Sequence, residues 1–371
     1  MPSGSIERRS RDSGNPLRFE ISEMKKAVLL VVALTALAAL AEALILVQVR
    51  LGFGGMLSHV PLNPWHLAAL LENFALVLGI FVGFSHPGVV RKLRQWAVQS
   101  ATLALGMPFV LVLLYLLYAL PTGTFSALEA AKLVGYIAVP SLLLFPDRLR
   151  KADHAGWRDF AAMLALAFPV PAHWLSNVWV LPPGLNVFHI LFGIHDLYIF
   201  QPLFCVCAGA YAFIVIRNLD GVGYRLVWRK GDAVEGATNF AAFSLLGIPL
   251  GLALNFIHPH FTNESLWNVP LQFIGIYVTI AIPEELLFRG ILQNFLVRSI
   301  QRGPRGWYGL LIASVVFGLS HLHHAPVPNW RYAILATLAG IFYGNTYRVR
   351  QRLCASALTH ALVDTVWRFW F

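Results

Sequence analysis

The chain has 371 residues, of which 57% are hydrophobic and only 12% charged, with a mean hydropathy of +0.64. Soluble globular proteins carry roughly a quarter charged residues, so the composition excludes a water-soluble domain and points to an all-α, polytopic membrane helix bundle. The net charge of +10 does not call for a nucleic-acid partner, because the bases are segregated into alternate connections between apolar runs, the mark of cytoplasmic loops.

In chain order, residues 1–26 form a polar, basic arm, expected to be disordered or to lie on the membrane surface. The apolar run after it lacks a small-residue cleavage site and is read as a retained span. Eleven apolar segments fit the charge pattern, at approximately 27–49, 66–88, 101–120, 127–146, 160–181, 188–216, 237–257, 269–297, 307–322, 332–347 and 353–371. With the N-terminus in the cytoplasm, every basic cluster falls on the cytoplasmic side. These clusters include Arg91, Lys92 and Arg94, then Arg217 to Lys230, then Arg348, Arg350 and Arg352. The expected location is therefore the lipid bilayer of a bacterial plasma membrane, crossed several times. Residues 160–216 are rich in proline and histidine and leave room for a re-entrant piece. The polar connection 217–236 separates an N-terminal multi-span region, 27–216, from a C-terminal unit, 237–371. Cys205, Cys207 and Cys354 have neither disulfide nor zinc spacing and read as packing residues.

Ionisable groups inside a bilayer cost at least about 2.5–3.5 kcal/mol each on insertion scales, so each asks for a reason. Glu42 and Glu72 stand alone in early spans and read as protonated packing groups. Glu129 and Lys132, three apart on one helix, read as a local ion pair. His189, His195 and Asp196 form a polar cluster near the predicted outer interface.

The C-terminal unit differs, because its polar residues recur at helical spacing on three spans. In "PEELLFR", Glu285 and Arg289 are i and i+4 and can pair on one face. Glu284 is rotated by about 100°, which leaves it free for chemistry. Pro283 removes a backbone donor and should loosen the helix there. In "FGLSH", Phe317 and His321 are four apart, and Gly318 and Ser320 are small enough for close helix contact. In the last span His360 and Asp364 are again i and i+4, and an Asp one turn away can fix the tautomer of a His. A glutamate beside a histidine can take a proton from water, and a second histidine can donate to an oxyanion. Glu284, His321 and His360 could equally hold a divalent metal such as zinc. Proton relay in a transporter is the competing function, although inverted repeats, frequent in transporters, are absent. So is an HExxH pair.

The three motifs together resemble the CPBP family of CAAX-protease and bacteriocin-processing intramembrane endopeptidases. That family carries a Glu-Glu-x-x-x-Arg helix, a Phe-x-x-x-His helix and a final His-x-x-x-Asn/Asp helix. Here these stand as Glu284, Glu285 and Arg289, then Phe317 and His321, then His360 and Asp364, within about residues 237–371. The resemblance implies peptide-bond hydrolysis on membrane-associated protein or peptide substrates. Glu284 and His321 would activate water, His360 and Asp364 would support the oxyanion, and Glu285, Arg289 and Phe317 would support the motif. It leaves the metal-dependent and glutamic mechanisms both open. Asp364 stands where prenyl-protein proteases tend to have Asn, and a carboxylate is a poorer oxyanion donor.

Overall fold

The computed structural model describes residues 16–50, 63–150, 152, 154–169, 172, 174–182, 185, 200–260, 268–300 and 306–371. His189, His195 and Asp196 lie outside the described residues, as does most of the polar arm. Every regular element among the described residues is helical. They are α1 (Pro16–Arg50), α2 (Pro64–Gly83), α3 (Pro87–Gln99), α4 (Ala101–Thr122), α5 (Ala127–Asp147) and α6 (Trp157–Ala167). After these come α7 (Phe200–Ile216), α8 (Asp232–Ala253), α9 (Asn268–Ile300), α10 (Trp307–Leu319), α11 (Trp330–Arg350) and α12 (Leu353–Trp370).

Among the described residues, α1, α2, α4, α5, α8 and α9 are long and apolar enough to span a membrane, and α7 and α10 are shorter apolar helices. The protein is thus an all-α, multi-pass membrane protein, with six helices of spanning length and apolarity among the described residues. Two differences have local causes. The run expected at 160–181 is helical only as far as Ala167, and Pro169, Pro171, Pro182 and Pro183 crowd the stretch beyond it; proline removes the backbone donors a continuing helix needs. The bases Arg91, Lys92 and Arg94 are not in a loop but on α3, a separate helix begun by Pro87.

Local signals start and stop the helices as their chemistry dictates. The Asn63 side chain accepts from the backbone of Trp65 and His66 ahead of α2, Ser126 accepts from Glu129 ahead of α5, and Asn329 accepts from Tyr332 ahead of α11. Such caps satisfy N–H groups that a helix start otherwise orphans. The i, i+3 pair of Glu129 and Lys132 forms as its spacing predicts, at 2.8 Å. Glu42 and Glu72, read as isolated acids, instead fall within electrostatic reach of each other across the α1–α2 contact.

One large apolar core runs from Leu67 on α2 to Ala361 on α12, crossing the polar connection 217–236. Helix α7 joins the two halves, packing on α2 and on α9. Tyrosine supplies much of the polar stitching. The phenols of Tyr118, Tyr136, Tyr211 and Tyr224 donate to the carbonyls of Val180, Leu166, Ala104 and Phe81 at 2.6–3.0 Å. Tyr277 and Tyr347 donate likewise to Cys354 and Gly221. Each bond joins segments distant in sequence, and each removes a hydroxyl that would be costly to leave unpaired away from water.

The bases read as topological signals also close helix ends. Arg94 donates to the carbonyls of Val215 and Ile216, where α7 runs out of intrahelical donors. Asp232, fully buried at the start of α8, pairs with Arg350 and Arg352 at 2.9 Å each. Between those arginines Gln351 takes the left-handed conformation (φ +52°) that turns α11 into α12. Gly223 lies against this turn, where a Cβ would sit 2.6 Å from the Gln351 carbonyl.

Candidate active site

Helix α9 carries the first motif, and its backbone departs from α-geometry on both sides of it. It is α-helical over Asn268–Ile276, π-helical over Tyr277–Ala281, α-helical over Ile282–Glu285 and π-helical again over Leu286–Gln293. The loosening expected at Pro283 thus takes the form of two wide turns flanking the glutamates, a distortion that recurs at functional sites.

Glu285 and Arg289, both fully buried, approach to 3.2 Å between Oε2 and Nε. Among the described residues none of the guanidinium nitrogens makes a directed hydrogen bond, so the contact is electrostatic. The guanidinium also lies over the rings of Phe317 (5.0 Å) and Tyr343 (6.0 Å), which attract a desolvated cation. Phe317 therefore holds the motifs together: it seats Arg289 on one side and meets His321 and His360 at 4.7 and 5.7 Å between centroids.

Glu285 holds more than the arginine. His360 Nδ1 donates to its Oε1 at 3.1 Å, and Ser356 Oγ sits between its Oε2 and the Tyr343 carbonyl. The Tyr343 ring stacks on His360 at 4.5 Å and 16°. The other imidazole nitrogen, Nε2, faces Asp364 at 3.4 Å and Glu284 at 3.8 Å. The spacing of the last motif makes Asp364 the residue that orients His360. The structure gives the Nδ1 side to Glu285 and puts Asp364 at Nε2, beside Glu284.

Glu284 is the exposed member of the pair, its side chain 35% accessible, and its Oε2 has no hydrogen-bond partner among the described residues. His321 lies just past the end of α10, in the turn rather than in the span expected to reach 322. Its Nδ1 donates to the Phe317 carbonyl at 2.8 Å, which fixes the ring and leaves Nε2 as the acceptor. Gly318 allows the close packing that brings this turn to α11: a Cβ there would strike Thr337 Oγ1 and come within 2.5 Å of the Ala333 carbonyl.

Glu284, His321, His360 and Asp364 all line one cavity of about 790 Å³, together with Phe317, Tyr332 and Tyr343. No hydrogen bond joins Glu284 to His321, although both line the cavity. Of the supporting residues, Ser356, Tyr332 and Tyr343 are not singled out by the sequence. Ser356 had a signal in standing one turn before His360. Among the described residues no three His, Cys, Asp or Glu side chains gather as a metal set.

Fold and cavity together define a multi-pass helical membrane protein with carboxylates and imidazoles gathered inside its C-terminal helices. Residues 266–366 match the family model Rce1-like, the type II CAAX prenyl endopeptidases, and span all three motifs. This stretch is therefore similar to the CPBP-type CAAX endopeptidases, whose members hydrolyse peptide bonds. No curated protein and no solved structure matches the chain.

Proposed function

We propose that the chain is an intramembrane endopeptidase of glutamic type, with Glu284 as general base. The observation that carries this reading is the convergence of Glu284, His321, His360 and Asp364 on one cavity, with Glu285 and Arg289 fixed behind it. Glu284 takes a proton from water while His321 Nε2 accepts the water's other hydrogen in a hydrogen bond. The water oxygen adds to the scissile carbonyl, and the carbonyl π electrons move to its oxygen. His360 Nε2–H, steered by Asp364 and held at Nδ1 by Glu285, stabilises that oxyanion. Collapse breaks the C–N bond, and the amine leaves with the proton from Glu284. Water is consumed, and an acid and an amine are formed.

The family's description supports a prenylated C-terminal peptide as the first substrate to try. The family match does not favour the transporter alternative. The basic clusters support a cytoplasmic N-terminus, and 217–236 is the proposed boundary of the protease unit. The test uses the full chain in liposomes with a fluorogenic CAAX peptide, prenylated or not. Wild type should cleave, and Glu284→Gln should lose about 10²–10⁴ in rate at unchanged expression and melting temperature. Undiminished cleavage by Glu284→Gln would remove the assignment.

A further inference from the structure

Two tyrosines depart from the stitching pattern of the core. Tyr332 and Tyr343 line the catalytic cavity, and among the described residues neither hydroxyl makes a hydrogen bond. The two are not equivalent. Tyr343 is buried and stacked on His360, with its phenol in the field of Asp364, Glu285 and Arg289. Tyr332 stands on the first turn of α11, its backbone held by Asn329. Its ring is packed by His321 (4.5 Å), His324 (5.1 Å), Trp367 (5.2 Å) and Phe256 (5.3 Å). Its phenol lies within electrostatic reach of Asp364 and Glu284, the side where water would be activated.

An oxyanion needs donors, and the cavity is poor in them. An ionised Glu284 or Asp364 can only accept. The Nδ1 proton of His321 is committed to the Phe317 carbonyl, as is the hydroxyl of Ser320 (2.7 Å). His360 Nε2–H is one donor left in the cavity, and the Tyr332 hydroxyl, within electrostatic reach of Glu284 and Asp364, is another.

We propose that Tyr332 is a catalytic residue of this site, its hydroxyl donating a hydrogen bond to the oxyanion as water adds to the scissile carbonyl. The assignment rests on the endopeptidase reading above. Tyr332 transfers no proton: its O–H bond stays intact, and the hydrogen bond strengthens as charge moves onto the carbonyl oxygen. The role filled elsewhere by a side-chain amide is here divided, with Asp364 steering His360 and the phenol supplying the donor.

The experiment measures kcat, KM and melting temperature of the full chain in liposomes on the prenylated fluorogenic CAAX peptide. Tyr332→Phe should lower kcat by about 10²–10³-fold, the usual cost of one oxyanion donor, with KM and melting temperature unchanged. Adding Asp364→Asn should restore about tenfold of that loss, because the amide brings a donor the carboxylate lacks. Incorporating 3-fluorotyrosine at 332 keeps the ring and acidifies the phenol, so kcat should change while stability does not. An unchanged kcat in Tyr332→Phe or in the fluorinated protein overturns the proposal. So does a loss confined to KM, or one produced by Tyr343→Phe instead. If Glu284→Gln cleaves as fast as wild type, the endopeptidase reading itself fails and takes this one with it. Glu284-dependent cleavage that ignores Tyr332 removes this assignment alone.

Discussion

The packed core and the cavity wall use the same side chain in opposite ways. In the core, a tyrosine hydroxyl is committed to a carbonyl of another helix, as with Tyr136 on Leu166 and Tyr224 on Phe81. On the cavity wall, the hydroxyls of Tyr332 and Tyr343 are uncommitted among the described residues, as is Oε2 of Glu284. The difference marks polar capacity that the packing of the helices does not use. In a chain with so few charges, a polar atom in the helix bundle either ties two segments together or faces a place where chemistry can occur.

The comparison can be broken by exchanging the two kinds of residue. The largest effect belongs to Glu284→Gln, with a rate loss of about 10²–10⁴ and no loss of stability. Next comes Arg289→Met, which strips the buried Glu285 of its countercharge. It should cost about 3–5 kcal/mol, seen as a lower melting temperature in detergent, and Glu285→Gln in the same chain should recover part of it. Unchanged stability in the single variant would mean that the ion pair contributes nothing to the fold.

Gly318→Val should cost about 1–3 kcal/mol by overpacking the α10–α11 contact, and it should also slow turnover, because the same contact sets His321. A normal rate on a destabilised fold would separate that packing from the site. The smallest effect falls to Tyr136→Phe, which gives up one core hydrogen bond worth about 0.5–1.5 kcal/mol. It should leave kcat untouched. A drop in kcat there would erase the distinction between core and cavity phenols.

How far the sequence could be read obeys the same division. Glu284, Glu285, Arg289, His321, His360 and Asp364 were legible because charge in an apolar run is costly and helical spacing displays shared faces. The Glu129–Lys132 pair was legible for the same local reason. Glu285 bonding His360 was not, since those residues lie 75 apart and their meeting is decided by how α9, α11 and α12 pack. Nor was Tyr332, since a tyrosine with a spare hydroxyl looks like any other until its partners are counted. The two π-helical stretches of α9 were visible only as a suspicion about Pro283. The shortness of α6 was hidden because hydropathy averages over prolines that backbone bonding cannot ignore.

Asp232 and its two arginines have a consequence at a distance. They grip the chain on both sides of Gln351, so they fix where α11 ends and α12 begins. Along α12, His360 lies eight residues past Arg352, about 12 Å at the rise of an ideal helix. Across the hairpin, Tyr343 meets His360 and Tyr332 meets Trp367 like rungs of a ladder. The ionic clamp thus works as a ruler: loosening it would let one rail slide against the other, and the rungs nearest the chemistry would be the first to miss each other.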